Sequence, residues 1–329
     1  MFDFKIMIAI SKFVRTNIVQ QRSIVVNKCG SSFGIENCDS VLGARYHGYT
    51  TGIKNYCSDI PCKKFMDVKC KIALITGGAS GIGLAIADSL LAAGLQKAYL
   101  AGRNSHRGVN ALLYMNNKFG EGRCDFIPLD VTNNKQFEDA FKYIICREGS
   151  MDILVNNAGM LNDKSWESEF DTNVKGVISG TLLANKYMPT QKNKGGVVVN
   201  VTSILGYDTN PYAPGYNCTK HAVVGLTRSF GEPSKFFSNK VRHIAIGPGV
   251  TGTALLHESA SKMLTDEWGK KLLASLYSLP YQSTEPVGRG TIYTIEYGPP
   301  GSLWVIEDSM LLRILPPKRI TYQYKVKDL

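Results

Sequence analysis

The sequence predicts an α/β fold in which a doubly wound parallel sheet carries helices on both faces. Two observations predict it. From Lys71 onward, short continuous apolar runs alternate with longer segments of helical period, the pattern of strands buried on both faces beneath crossover helices. Directly after the first run stands the string Thr76-Gly77-Gly78-Ala79-Ser80-Gly81-Ile82-Gly83. A sheet of the Rossmann type places its phosphate-binding turn at that point.

The elements follow in order. Ile72–Ile75 reads as the first strand, after which Ile82, Ile86 and Leu90 share one helical face. Next come the runs Ala98–Ala101, Phe126–Leu129, Ile153–Val155 and Val197–Val201, then the alternating Val241, Ile244 and Ile246. Helical stretches separate them around 107–119, 133–147, 164–190 and 214–231. Ligands of such a sheet bind at the carboxyl ends of its strands. The chain divides into a basic, poorly ordered N-terminal extension over 1–69, a single α/β domain over 70–315 and a basic C-terminal tail over 316–329.

With 44% hydrophobic and 20% charged residues in 329, the composition is that of an ordinary globular protein. The longest apolar runs, such as Ile6–Ile10, fall well short of the roughly 20 residues a membrane-spanning helix needs. No transmembrane segment is expected. The formal charge is +11, and residues 1–70 hold ten Lys/Arg against five Asp/Glu. No basic block interleaved with aromatics occurs elsewhere, so nucleic acid is not an expected partner. An anionic substrate or cofactor accounts for a basic chain more simply. The first 30 residues carry one acid, Asp3, against Lys5, Lys12, Arg15, Arg22 and Lys28. That is the charge balance of a mitochondrial presequence without a clear amphipathic face. A cytoplasmic location is expected, with mitochondrial import as the alternative. Five of the eight cysteines lie in the first 70 residues, at spacings that form no CxxC pair. Neither a metal site nor a disulfide framework is expected.

The glycine string supplies a tight turn and a close backbone approach, with a pyrophosphate seated on the N-terminus of the following helix. Gly77, Ser80, Gly81, Ile82 and Gly83 are its candidate contacts. The second strand ends in Gly102-Arg103, where NAD-preferring proteins usually place an acid for the ribose hydroxyls. The planar fork of Arg103 suits a 2′-phosphate, which favours NADP, although an arginine there can equally stack on adenine or face solvent. Asp130-Val131, after the third strand, can accept from the adenine amino group, or Asp130 can cap the helix beginning near Thr132. Asn156-Asn157-Ala158-Gly159, after the fourth strand, is small and amide-rich, suited to a backbone passing beside a cofactor, with Asn157 as the contact.

Tyr216 and Lys220 stand four residues apart and so share one helical face. A phenol ordinarily ionises near 10, too high for efficient proton exchange at neutral pH, and a neighbouring ammonium lowers that value. Thirteen residues before Tyr216 stands Ser203, at the end of the valine-rich fifth strand. Its hydroxyl can stabilise charge developing on a substrate oxygen. A second Tyr-x3-Lys pair, Tyr114 with Lys118, has Ala101 at the corresponding position and belongs to a surface helix.

On these motifs, residues 70 to about 310 resemble the short-chain dehydrogenase/reductase family. The Thr76–Gly83 loop, Asn156–Gly159, Asn173, Ser203, Tyr216 with Lys220, and Pro248-Gly249-Val250-Thr251-Gly252-Thr253 match its order and spacing. The resemblance implies an oxidoreductase moving hydride between NAD or NADP and a secondary alcohol or ketone. It implies that Asn173 interrupts its helix and holds a water in a proton relay to Lys220. It also implies that Thr251 and Thr253 meet the nicotinamide carboxamide, and that the helices near 164–190 and 214–231 build a homodimer or homotetramer. Within the family, Asn157–Trp166, Val177–Thr181 and Lys220-His221 are similar to 15-hydroxyprostaglandin dehydrogenase-like and insect alcohol dehydrogenase-like members, which implies a lipophilic substrate and NAD. Two positions depart: Gly102 replaces the acid of NAD-linked members, and Ala213 replaces a polar substrate contact. Residues 253–285, rich in leucine, are expected to form either a mobile apolar lid or an amphipathic helix pair on the core. A catalytically silent dinucleotide-binding scaffold or redox sensor is the competing reading; loss of Ser, Tyr or Lys would favour it, and all three are present.

Overall fold

Residues 64–191 and 195–316 are described by the structure, a computed structural model. The presequence-like stretch, most of the expected extension and nearly all of the basic tail lie outside the described residues. Every residue of strands β1 (Ile72–Thr76) and β5 (Gly196–Val201) is buried, as strands sandwiched between two helical layers must be. The other strands are β2 (Lys97–Gly102), β3 (Cys124–Pro128), β4 (Ile153–Asn156), β6 (Val241–Pro248), β9 (Leu303–Glu307) and β10 (Met310–Ile314), and a small separate pair, β7 (Val250–Thr251) and β8 (Tyr281–Gln282), stands beside the main sheet. The main sheet has eight strands in the order β10-β9-β6-β5-β4-β1-β2-β3. Strand order reverses between β1 and β4, which opens a crevice at their carboxyl ends.

Helices α1 (Gly81–Ala92), α2 (Ser105–Phe119) and α3 (Asn134–Glu148) follow the first three strands. Ile86, Leu90, Ala111 and Met115 from the first two pack with Ile75, Leu100 and Val199 on one face of the sheet. Phe137, Phe141 and Ile144 of α3 join Leu74, Leu154 and Val198 on the other. Burying side chains of this size is worth roughly 1.5–3 kcal/mol each, so both layers anchor the crevice rigidly. Among the described residues no helix is long and apolar enough to cross a membrane.

Three features refine the sequence reading. The helix expected over 164–190 is not one helix: a 3-10 turn at Asp163–Ser165 leads into α4 (Trp166–Phe170), a π-helical turn (Asp171–Lys175) and α5 (Gly176–Tyr187). A wide turn of this kind inserts one residue and shifts the phase of the buried face between its two arms. Asp130 does not cap α3; Asn133 does, accepting from the Gln136 N–H at 3.1 Å. Asp130 instead accepts from the N–H and hydroxyl of Thr132 at 3.0 and 2.8 Å. The sheet is also not wholly parallel. A two-residue turn with positive φ at Asp308 (49°) and Ser309 (62°) folds β10 back antiparallel on β9, the backbone twist that tight hairpins favour.

The remaining helices are α6 (Pro214–Phe230), α7 (Pro233–Asn239), α8 (Ala254–His257), α9 (Asp266–Tyr277) and α10 (Glu285–Tyr297). Over the leucine-rich 253–285 stretch, α9 buries Leu272 and Leu276 in a small cluster with Leu205, Tyr216 and Met263. It is one amphipathic helix with a short companion, seated over the site.

Candidate active site

The glycine turn between β1 and α1 is shaped by contacts that exclude side chains. Gly77 (φ 63°) and Gly81 (φ 54°) adopt left-handed backbone, which glycine tolerates without steric cost. A Cβ on Gly83 would stand 2.4 Å from the Gly77 carbonyl oxygen and 2.5 Å from Asn157 Nδ2. Asn157 holds the turn in place, its amide donating to the carbonyls of Thr76 (2.9 Å) and Gly77 (3.2 Å). Thr76 Oγ1 in turn accepts from the N–H groups of Asn157 and Ala158, both at 3.0 Å. The Ser80 side chain makes no capping bond, and the first turn of α1 carries no acid. That helix terminus is open to an anion, so the cradle fits a dinucleotide pyrophosphate.

Gly77, Ser80, Gly81, Ile82, Arg103 and Asn157 line one cavity of about 490 Å³. An adjoining cavity of about 230 Å³ is bordered by Gly102, Arg103, Asn104, Asp130 and Val131. Arg107 borders both cavities and was not among the residues singled out from sequence. It lies in the first turn of α2, four residues after Arg103, and that spacing was its signal. Gly102 has open space around it.

Ser203, Tyr216 and Lys220 converge at the far end of the larger cavity. Ser203 leaves β5 as the cap of a 3-10 turn, its Oγ accepting from the Leu205 N–H at 3.2 Å, and it hydrogen-bonds the Tyr216 phenol. Tyr216 and Lys220 lie on the buried face of α6, with the ammonium 5.4 Å from the ring centroid. Lys220 Nζ donates to the Val201 carbonyl at 3.1 Å. Asn173 sits in the π-helical turn, donating to the Met160 carbonyl (2.8 Å) and Thr219 Oγ1 (3.1 Å) while its Oδ1 accepts from the Met160 N–H (2.8 Å). A Cβ on Gly159 would lie 3.2 Å from Asn173 Oδ1 and 3.6 Å from Lys220 Nζ. The missing side chain keeps space between those two groups. Thr251 and Thr253 line the same cavity, but Thr251 Oγ1 is engaged within the protein, donating to Gly249 at 2.9 Å and accepting from Gln282 at 3.3 Å.

The electrostatics differ from the sequence expectation. Burial holds the Tyr216 phenol above its ordinary range; the nearby Glu169 carboxylate adds to the rise and the Ser203 hydrogen bond opposes it. Burial pulls Lys220 down to about 8, with Glu169 opposing. For a group this buried, desolvation is the largest influence on the phenol. Glu169 and Asp163, both buried beside the site, were missed. The available signal was spacing: Glu169 lies four residues before Asn173 and so on the same helical face. Tyr114 and Lys118 stand apart on the surface, where both bond Asp88. Among the described residues no group of three His, Cys, Asp or Glu side chains is arranged to hold a metal.

A crevice of this shape, with a phosphate cradle at one end and a hydroxyl–phenol–ammonium group at the other, defines the dinucleotide-dependent oxidoreductases. The chain belongs to the short-chain dehydrogenase family, which matches residues 71–264. It is 39% identical over 198 residues to the NAD(+) 15-hydroxyprostaglandin dehydrogenase of Homo sapiens, covering 60% of this chain and 74% of that one. It is 28% identical over 253 residues to alcohol dehydrogenase 1 of Ceratitis cosyra, covering 76% and 97%. The crystal structure of L-sorbose reductase from Gluconobacter frateurii, complexed with NADPH and L-sorbose, aligns with a TM-score of 0.63. That alignment covers 74% of this chain and 98% of the reductase at 24% identity, and it speaks for the fold. The protein is an NAD(P)-dependent oxidoreductase acting on CH–OH groups.

Proposed function

We propose that the enzyme interconverts a lipophilic secondary alcohol and its ketone, with Tyr216 as general acid/base, Ser203 orienting the reacting oxygen and Lys220 supporting Tyr216. One observation carries this reading: the three side chains meet in a cavity whose other walls include Leu161, Leu205, Leu255, Leu256 and Leu276. Bound, the cofactor supplies the hydride acceptor or donor and, when oxidised, a positively charged ring. Gly77, Ser80, Gly81, Ile82 and Gly83 would hold its pyrophosphate, Asp130 and Val131 its adenine end, and Asn157, Thr251 and Thr253 the backbone and amide contacts near nicotinamide. Tyr216 Oη takes the hydroxyl proton in oxidation and returns it in reduction. Ser203 Oγ donates to the substrate oxygen as charge develops there. A positive charge in the cavity favours the phenolate, offsetting the burial that holds Tyr216 protonated. Lys220 would hold the cofactor ribose, and Asn173 would orient a water beside it.

Arg103, directly after β2, and Arg107, in the first turn of α2, border the adjoining cavity and support NADP; the likeness to the human NAD(+) enzyme supports NAD. Exposed Trp166 and Leu182 on the two arms of the broken helix support a homodimer or homotetramer. Exposed free thiols at Cys70, Cys146 and Cys218 support a reducing compartment such as the cytoplasm.

Thermal-shift titration with NADH and NADPH, followed by turnover of a panel of lipophilic secondary alcohols and ketones, tests the reading. Tyr216→Phe is expected to cut turnover about 10²–10⁴-fold while cofactor binding persists. Turnover undiminished in that variant, or cofactor binding by the wild type with no turnover anywhere in the panel, overturns it. The second result would favour a dinucleotide sensor.

A further inference from the structure

Behind Tyr216 and Lys220 lies a pair of carboxyl groups that the reaction as described does not use. Glu169 on α4 is fully buried, and Asp163 is only 2% exposed. Glu169 Oε1 accepts from Asn173 Nδ2 at 3.4 Å and Oε2 from the Asn162 N–H at 3.3 Å. Asp163 accepts from the N–H groups of Gly215 (2.8 Å) and Tyr216 (3.1 Å), at the start of α6, and hydrogen-bonds Glu169. Two carboxyl groups joined by a hydrogen bond need one proton between them. Burial, with the charge of Asp163 beside it, favours the protonated form of Glu169.

The titratable groups facing Glu169 are Asp163 from the 3-10 turn and Tyr216 and Lys220 from α6. On its own rod, Glu167 is exposed, and Lys175 is exposed and paired with Asp171 at 2.6 Å. Among the described residues no carboxylate stands within ion-pair distance of Lys220, and Glu169 is the carboxyl group whose ionisation acts on it through the interior.

We propose that Glu169 is a positioning residue for the Tyr216–Lys220 pair: it holds a proton against Asp163 and, on ionising, supplies the negative charge that keeps Lys220 protonated and Tyr216 neutral. This rests on the reading of Tyr216 and Lys220 as the acid/base pair. Burial, then the charge of Asp163, pushes Glu169 up to about 8, and burial brings Lys220 down to about 8. Burial thus drives both groups toward their neutral forms, and the charge of each bears on the other. A buried acid and a buried base driven toward each other are the usual sign of tuned proton chemistry.

Glu169→Gln keeps the shape and the amide contacts but cannot ionise. Without the anion, Lys220 loses its proton at lower pH and Tyr216 ionises at lower pH. Both limbs of the kcat/KM profile for alcohol oxidation are expected to move toward acid by roughly half a unit or more, with cofactor affinity unchanged. Glu169→Leu, which suits a buried apolar position, is expected to give the same displacement and serves if the amide variant folds poorly. Limbs that stay in place while only the Tm changes, or that move toward alkali, overturn the proposal. Tyr216→Phe separates the two readings. If it retains turnover, the acid/base assignment fails whatever Glu169 does; if it is inactive while the Glu169 variants leave the profile in place, this inference alone fails.

Discussion

At the pyrophosphate end of the crevice, binding is a matter of backbone: Gly77 and Gly81 at positive φ, Gly83 pressed on a carbonyl, and the open N-terminus of α1. At the reacting end it is a matter of side chains and of what surrounds them. Ser203, Tyr216 and Lys220 are ordinary residue types, and burial and Glu169 shift the proton affinity of the last two. The first end depends on atoms that are missing and the second on charges that are near. A change at the first should disturb binding and leave the chemistry nothing to act on, whereas a change at the second should spare binding and alter rate.

The sharpest way to break that contrast is Gly83→Val. Its Cβ would fall 2.4 Å from the Gly77 oxygen, and the turn must open to admit it. Cofactor affinity measured by fluorescence quenching is expected to weaken about 10³-fold, roughly 4 kcal/mol. Affinity within tenfold of wild type would show that the turn is not the binding element. Ser203→Ala works at the other end. Stopped-flow turnover is expected to fall about 10²-fold, the scale of losing one donor to a developing oxyanion, with the cofactor dissociation constant unchanged. A parallel loss of binding would blur the division. Arg103→Gln gives the smallest effect: the ratio of NADPH to NADH affinity should drop about tenfold, the loss of one charge-assisted phosphate contact. An unmoved ratio assigns Arg103 to solvent or to adenine stacking.

The same contrast explains what the sequence could disclose. The glycine string, the alternation of apolar runs with helical segments, and the Ser–Tyr–Lys spacing are local, so the strand–turn–helix at Thr76–Gly83 and the serine at the end of β5 can be read directly. Asp130 was ambiguous because an Asx turn and a helix cap use the same residue types; Asn133, three residues on, took the cap. The hairpin of β9 and β10 depended on two non-glycine residues accepting positive φ, which propensity argues against. Glu169 escaped notice for a deeper reason. An acid in the segment Trp166-Glu167-Ser168-Glu169-Phe170 reads as solvent-facing until the fold closes over it, and only tertiary burial turns it into a group that titrates near neutrality. The burial that raises the Tyr216 phenol is likewise a property of the closed fold, invisible in the spacing of Tyr216 and Lys220.

The π-helical turn has a geometric consequence of its own. An α-helix advances about 100° per residue, so one extra residue turns the rod's earlier arm out of phase with its later one. The α4 arm thereby directs Glu169 inward toward the start of α6, while the α5 arm lays Val177, Gly180, Thr181 and Ala184 against the interior near β4 and β5. A single length of chain thus offers its inner side to two neighbours that an unbroken helix could not face at once, and the amide at the phase change, Asn173, belongs to both.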